Sequence, residues 1–164
     1  MKQIFLIILL FTCFYSFGQE LTLGSRIDTN MWERNENDNN IFSLKRGVKY
    51  NYLGYECKNV FIEVDRNGLI TEINYSFVSP MFGDLAEQAN IIYDRLISQI
   101  ERQGFSVSQR IGDSDTHFAI IFRKRNEDSF FIFWWKSDEF WDELDIFHSK
   151  LEETINFVFE EIEG

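Results

Sequence analysis

The stretch Phe130–Phe147, FFIFWWKSDEFWDELDIF, decides how the rest of the chain is read. It holds three of the four tryptophans and a dense set of acids, so it is either an exposed aromatic platform or the wall of a core. Side chains alternate between the two sides of a strand. Phe131, Phe133 and Trp135 therefore share one face, and Phe130, Ile132 and Trp134 share the other. The preceding strand, 116–125, sets Phe118, Ile120 and Phe122 against Ala119 and Ile121. Strands that are apolar on both faces normally lie in the middle of a sheet and are covered twice. The segment thus reads as core, with one face as a candidate contact surface carried by Trp134, Trp135, Trp141, Phe131 and Phe133. Lys136–Glu139 is expected to be a hairpin turn, and Trp141–Phe147 the returning strand with its acids facing water.

Working back from there, a first meander precedes this one. Strands are expected over Val48–Tyr55, Asn59–Asp65 and Leu69–Val78. Asn67-Gly68 sits between two alternating runs, the strongest short hairpin signal. Ile73, Tyr75 and Phe77 face one way and Glu72, Asn74 and Ser76 the other, which predicts one wet face. Between the meanders, Leu85, Ala89, Ile92, Leu96 and Ile100 recur at helical spacing. Asp84 and Glu87 form a capping-box start and Gly104 a C′ stop, so a helix is predicted over 84–103. A short helix is also expected within Leu21–Asn40, capped by Ser25, with Glu33–Asn40 as loop. The tail Glu153–Glu160 fits either period, because Ile155, Val158 and Ile162 suit a helix and Ile155, Phe157 and Phe159 a strand. Its β-branched and aromatic centre favours the strand.

Runs of strands with segregated helices define an α+β fold, an antiparallel meander sheet covered on one face by helix 84–103. Leu23-Gly24-Ser25 and Phe82-Gly83-Asp84 stand at comparable places before the two meanders, which suggests a diverged helix-plus-meander duplication.

The chain opens with MKQIFLIILLFTCFYSFG: one lysine, an apolar run, then small residues at the positions a signal peptidase reads. Residues 1–18 are expected to be a secretory signal peptide and 19–164 one domain, periplasmic or extracellular. Removing 18 of 164 residues leaves 146, enough to bury a core without disulfides. Lipidation at Cys13 is the minor alternative, poorly served by Phe11-Thr12 before it. Cys57 then stands alone and is expected to be buried. With 16 basic and 27 acidic residues the net charge is −11, which disfavours nucleic acid and anionic membranes and suits a basic partner. No transmembrane segment is expected in the mature chain.

Chemistry is sparse. Asp113, Asp115 and His117 alternate and would share a strand side, a candidate metal set, although Gly112–Asp115 equally reads as a turn. His148 would approach His117 if their strands were neighbours. Glu33–Asn40 imitates a calcium loop without its glycine and closing glutamate. No nucleophile motif or phosphate loop is present, and no cofactor is implied. The leading expectation is an exported, non-enzymatic, protein-binding domain of inhibitor-like or immunity-like type. The alternatives are carbohydrate or apolar-ligand binding on an aromatic strand face, and a metal-assisted hydrolase.

Overall fold

The computed structural model describes residues 21–80, 85–112, 116–138 and 141–163. Residues 1–18 with Cys13, the cap at Asp84, and Asp113 and Asp115 of the candidate metal set lie outside them. The first half contains β1 (Trp32–Arg34), β2 (Ile41–Leu44), β3 (Asn51–Tyr52), β4 (Tyr55–Glu56), β5 (Asn59–Val64), β6 (Ile70–Pro80) and helix α1 (Leu85–Arg102). The second contains β7 (Ser106–Ile111), β8 (His117–Arg123), β9 (Phe130–Ser137), β10 (Trp141–Ser149) and helix α2 (Glu152–Glu163). Eight strands form one sheet in the order β1-β2-β5-β6-β10-β9-β8-β7, and β3 and β4 make a separate small hairpin. All pairs are antiparallel. Each half is thus a meander followed by a helix, and the last strands of the two meanders, β6 and β10, pair at the centre. The α+β reading holds.

The sheet separates two cores. On one face, Val60, Ile62, Ile73, Tyr75, Phe131, Phe133, Leu144 and Ile146 meet the apolar stripe of α1. That stripe is Leu85, Ala89, Ile92, Leu96 and Ile100, the spacing read from the sequence. Gly104 ends α1 at φ +89°, and the Phe105 amide reaches back to the Ile100 carbonyl at 3.1 Å. On the other face, Ala119, Ile121, Phe130, Ile132, Trp134 and Phe147 meet Ile155 and Val158 of α2. Ser149 anchors that helix. Its hydroxyl donates to Glu72 at 2.7 Å and accepts from the Leu151 amide at 3.0 Å, while Thr154 also donates to Glu72.

Four expectations are corrected here. The tail is helix, not strand, because β8 and β9 present a second apolar face that only a helical stripe can cover in one pass. Ile155 and Val158 are buried and Phe157 is exposed, the helical rather than the alternating pattern. No helix forms within Leu21–Asn40. Gly24 sits at φ +80°, Arg26 bridges to Leu69, and Asp28, Asn35 and Asp38 each accept an amide two residues on, so turns replace the helix. Trp32 enters β1 instead and is buried beside Tyr50. Val48–Tyr55 is not one strand but is broken at Leu53-Gly54, both at positive φ. Lys136 and Ser137 belong to β9, which leaves the β9–β10 turn to start at Asp138.

The expected hairpin at Asn67-Gly68 is present. Gly68 takes φ +75°, and Asp65 accepts the amides of Asn67 and Leu69 at 2.8 and 2.9 Å. Among the described residues, no helix is long and apolar enough to cross a membrane.

Candidate functional site

The opening stretch is mostly core. Phe131, Phe133 and Trp135 are buried under α1, and Trp134 is buried on the α2 side. Trp134 meets Phe157 of α2 edge-on at 5.9 Å and lies over Phe147 at 6.3 Å. Trp141, at the start of β10, is 53% exposed, whereas Trp32, Trp134 and Trp135 are all below a tenth. Acrylamide should therefore quench one tryptophan out of four. Trp141→Phe is expected to abolish most of the quenchable emission and leave the spectrum blue-shifted, whereas an unchanged quenchable fraction would contradict this burial pattern.

The acids of β10 do not all face water. Asp142 points to the α1 side and is buried, accepting the Ser137 hydroxyl at 2.7 Å. Asp145 is only 5% exposed on the α2 side, directly across from Trp134 on β9 and Ser76 on β6. Its position follows from strand parity, since it alternates with the buried Phe147 and Ser149. Reading acids as solvated concealed it. Burial pushes its carboxyl up to about 7; the Glu143 charge adds to the rise and a hydrogen bond from Ser76 opposes it. Asp145 Oδ1, Trp134 Nε1 and Asn74 Oδ1 are buried without a hydrogen-bond partner among the described residues. Each such group carries a desolvation cost that a partner would relieve.

Around these groups the α2 side is acidic and aromatic. Five large hydrophobic side chains are exposed among the described residues, and three of them, Phe61 (40%), Trp141 (53%) and Phe157 (47%), lie on this side. Phe61 and Glu63 of β5 share it with Asn74 and Glu72 of β6 and Glu143 of β10. The carboxyl of Glu63 is raised by partial burial and then by the charges of Glu72, Asp38 and Glu153, with no cation among the causes. Glu153 belongs to α2, so the negative field spans the helix and the sheet.

On the α1 side, Phe133 and Trp135 wall a groove of about 430 Å³ with Tyr93, Phe118 and Ile120. Its cation is Arg110, whose guanidinium lies 4.7 Å from the Phe118 ring centre.

The two histidines do not meet. His117 is on the α2 side and stacks on Trp134, while His148 is on the α1 side and stacks on Phe131. They also sit at opposite ends of their strands, since His117 pairs with Lys136 and His148 with Phe131. Among the described residues no group of three metal-binding side chains comes together. Cys57 is buried and its thiol is pushed up to about 12 by desolvation, which keeps it protonated at neutral pH. No protein-family model, curated protein or solved structure matches the chain.

Proposed function

We propose that this is an exported, non-enzymatic binding domain that takes a basic protein partner on the acidic, aromatic α2 side of its sheet. One observation carries the reading. Three exposed aromatics lie on a surface whose buried floor holds a carboxylate oxygen and an indole N–H that have no partner among the described residues. Aromatic anchors supply most interface energy, and a one-signed field steers an oppositely charged partner. A basic side chain at the surface would also supply a countercharge to Glu63 and Asp145, since no cation stands among the groups that set either carboxyl's shift.

The test uses a peptide alternating lysine and leucine, titrated against the protein and followed by Trp141 emission. Binding should weaken steeply with added salt. The exposed double variant Trp141→Ala/Phe157→Ala, followed by calorimetry, should bind about tenfold or more weakly. Equal binding of a glutamate–leucine peptide, or no loss in the double variant, would sink the proposal.

The groove at Phe133 and Trp135 favours a second reading, an apolar ligand bearing one anionic group near Arg110. Its size falls within the ~300–1,000 Å³ typical of ligand sites.

A further inference from the structure

A second recess opens on the α1 side, beneath the C-terminal end of α1, away from the acidic surface. One part, of about 420 Å³, is walled by Tyr50, Tyr52, Tyr75 and Phe131. The other, of about 440 Å³, is walled by Phe105, Lys124, Glu127 and Lys150. Thr22, Gln103 and His148 line both parts, so the two run together with His148 at their junction.

The walls are built of stacked rings. Tyr52 lies flat on Tyr75 with ring centres 3.8 Å apart, and Tyr75 stacks on Tyr50 at 5.9 Å. His148 lies flat on Phe131 at 4.0 Å. Its ring nitrogens have no hydrogen-bond partner among the described residues. Burial and the nearby Lys150 charge push its imidazole down to about 4, so at neutral pH it is uncharged and offers one donor and one acceptor. Asn51, Gln99, Gln103, Thr22 and Ser129 add amides and hydroxyls along the length of the recess.

The charge here departs from that of the chain. In a protein of net charge −11, two lysines stand at one end of the cleft. Lys124 is held by Glu127, whereas the Lys150 ammonium makes no ion pair among the described residues. Ring faces alternating with amides and hydroxyls suit a ligand that is both ring-shaped and polyhydroxylated. A simple aryl acid would leave the amides unpaired, and a neutral sugar would leave Lys150 unused. A chain of two or more rings is required to occupy both parts.

We propose that this cleft binds an acidic oligosaccharide of the uronic-acid class. Its rings lie between the tyrosine stack and His148, and a carboxylate meets Lys150.

The chain has only two histidines, which makes proton NMR a direct reading of the site. Adding a galacturonate trisaccharide should shift the His148 ring protons and raise the pH at which they titrate, leaving those of His117 in place. Lys150→Ala, an exposed change, should weaken binding about tenfold. Trp141→Ala/Phe157→Ala should bind the sugar normally, which separates this site from the protein-binding surface. Three results would overturn the proposal: no shift at His148, equal shifts with the neutral galactose trisaccharide, or benzoate binding as tightly as the uronate.

Discussion

Asp145→Asn is expected to stabilise the protein at pH 8 and to leave its stability almost unchanged at pH 4. The carboxyl is nine-tenths buried across from Trp134, and its folded-state value rises from the ordinary 3.8 to about 7. The unfolded chain releases this proton near 3.8, while the folded chain keeps it until about 7. Folding therefore binds a proton across that window, and stability falls as pH rises through it. Above pH 7 the penalty is complete, at most about 4 kcal/mol from a shift of roughly three units. Asparagine has no charge to desolvate and still accepts the bond from Ser76. Urea midpoints of the two proteins should coincide near pH 4 and separate steadily toward pH 8. A gap of equal size at both ends of the range would assign the effect to packing rather than to charge. The same variant is expected to bind the lysine–leucine peptide less well, because a destabilised acid at the floor of a surface is a common cost of function.

Phe130→Ala should lower stability by about 3–5 kcal/mol, the usual cost of emptying a buried aromatic site. Phe130 is fully buried at the start of β9 in the core under α2. It also seats Arg123, whose guanidinium lies 5.1 Å from its ring centre and holds Glu152 of α2 through two bonds of 3.0 and 2.9 Å. Loss of the ring therefore removes core volume and the support of the first turn of α2. Hydrogen exchange should show α2 amides losing protection ahead of those of α1, since the sheet stands between the two cores. Arg123→Ala alone should cost less than about 1 kcal/mol, as for other solvent-exposed pairs. Phe130→Leu is the milder variant if the alanine chain does not fold. Equal loss of protection in both helices would show that the cores are not separable.

The legible parts of the fold are those where one signal acts alone. The stripe Leu85–Ile100, the Asn67-Gly68 turn and the two-faced strands β8 and β9 each follow from a single period or turn rule. The tail was ambiguous because Ile155, Phe157, Val158 and Phe159 satisfy both periods. Only the uncovered face of β8 and β9 decides between them, and that is a tertiary fact. In Leu21–Asn40 the conflict runs the opposite way, since Ile27, Met31 and Trp32 stand at helical spacing but are outweighed by Gly24 and a series of Asx turns. At the candidate site, Trp134 and Trp141 drew attention by composition, but Asp145 did not. A carboxylate in a strand is read as solvated unless its parity with Phe147 is given weight. The cleft at His148 was out of reach of sequence reading. It gathers Thr22, Tyr50, Gln103 and Lys150 from segments far apart in the chain, and no local pattern joins them.

The seam between β6 and β10 has a consequence for the order in which the molecule is made. Paired residues across it are separated by 61 positions at Pro80–Trp141 and by 77 at Glu72–Ser149. Every other pair in the large sheet joins two strands of the same half. During synthesis, the first meander and α1 emerge with the partner edge of β6 open, and nothing closes it until residues 141–149 appear. Central strands are thus among the last to be satisfied, which makes closure slow and keeps the nascent chain unlocked through most of its length.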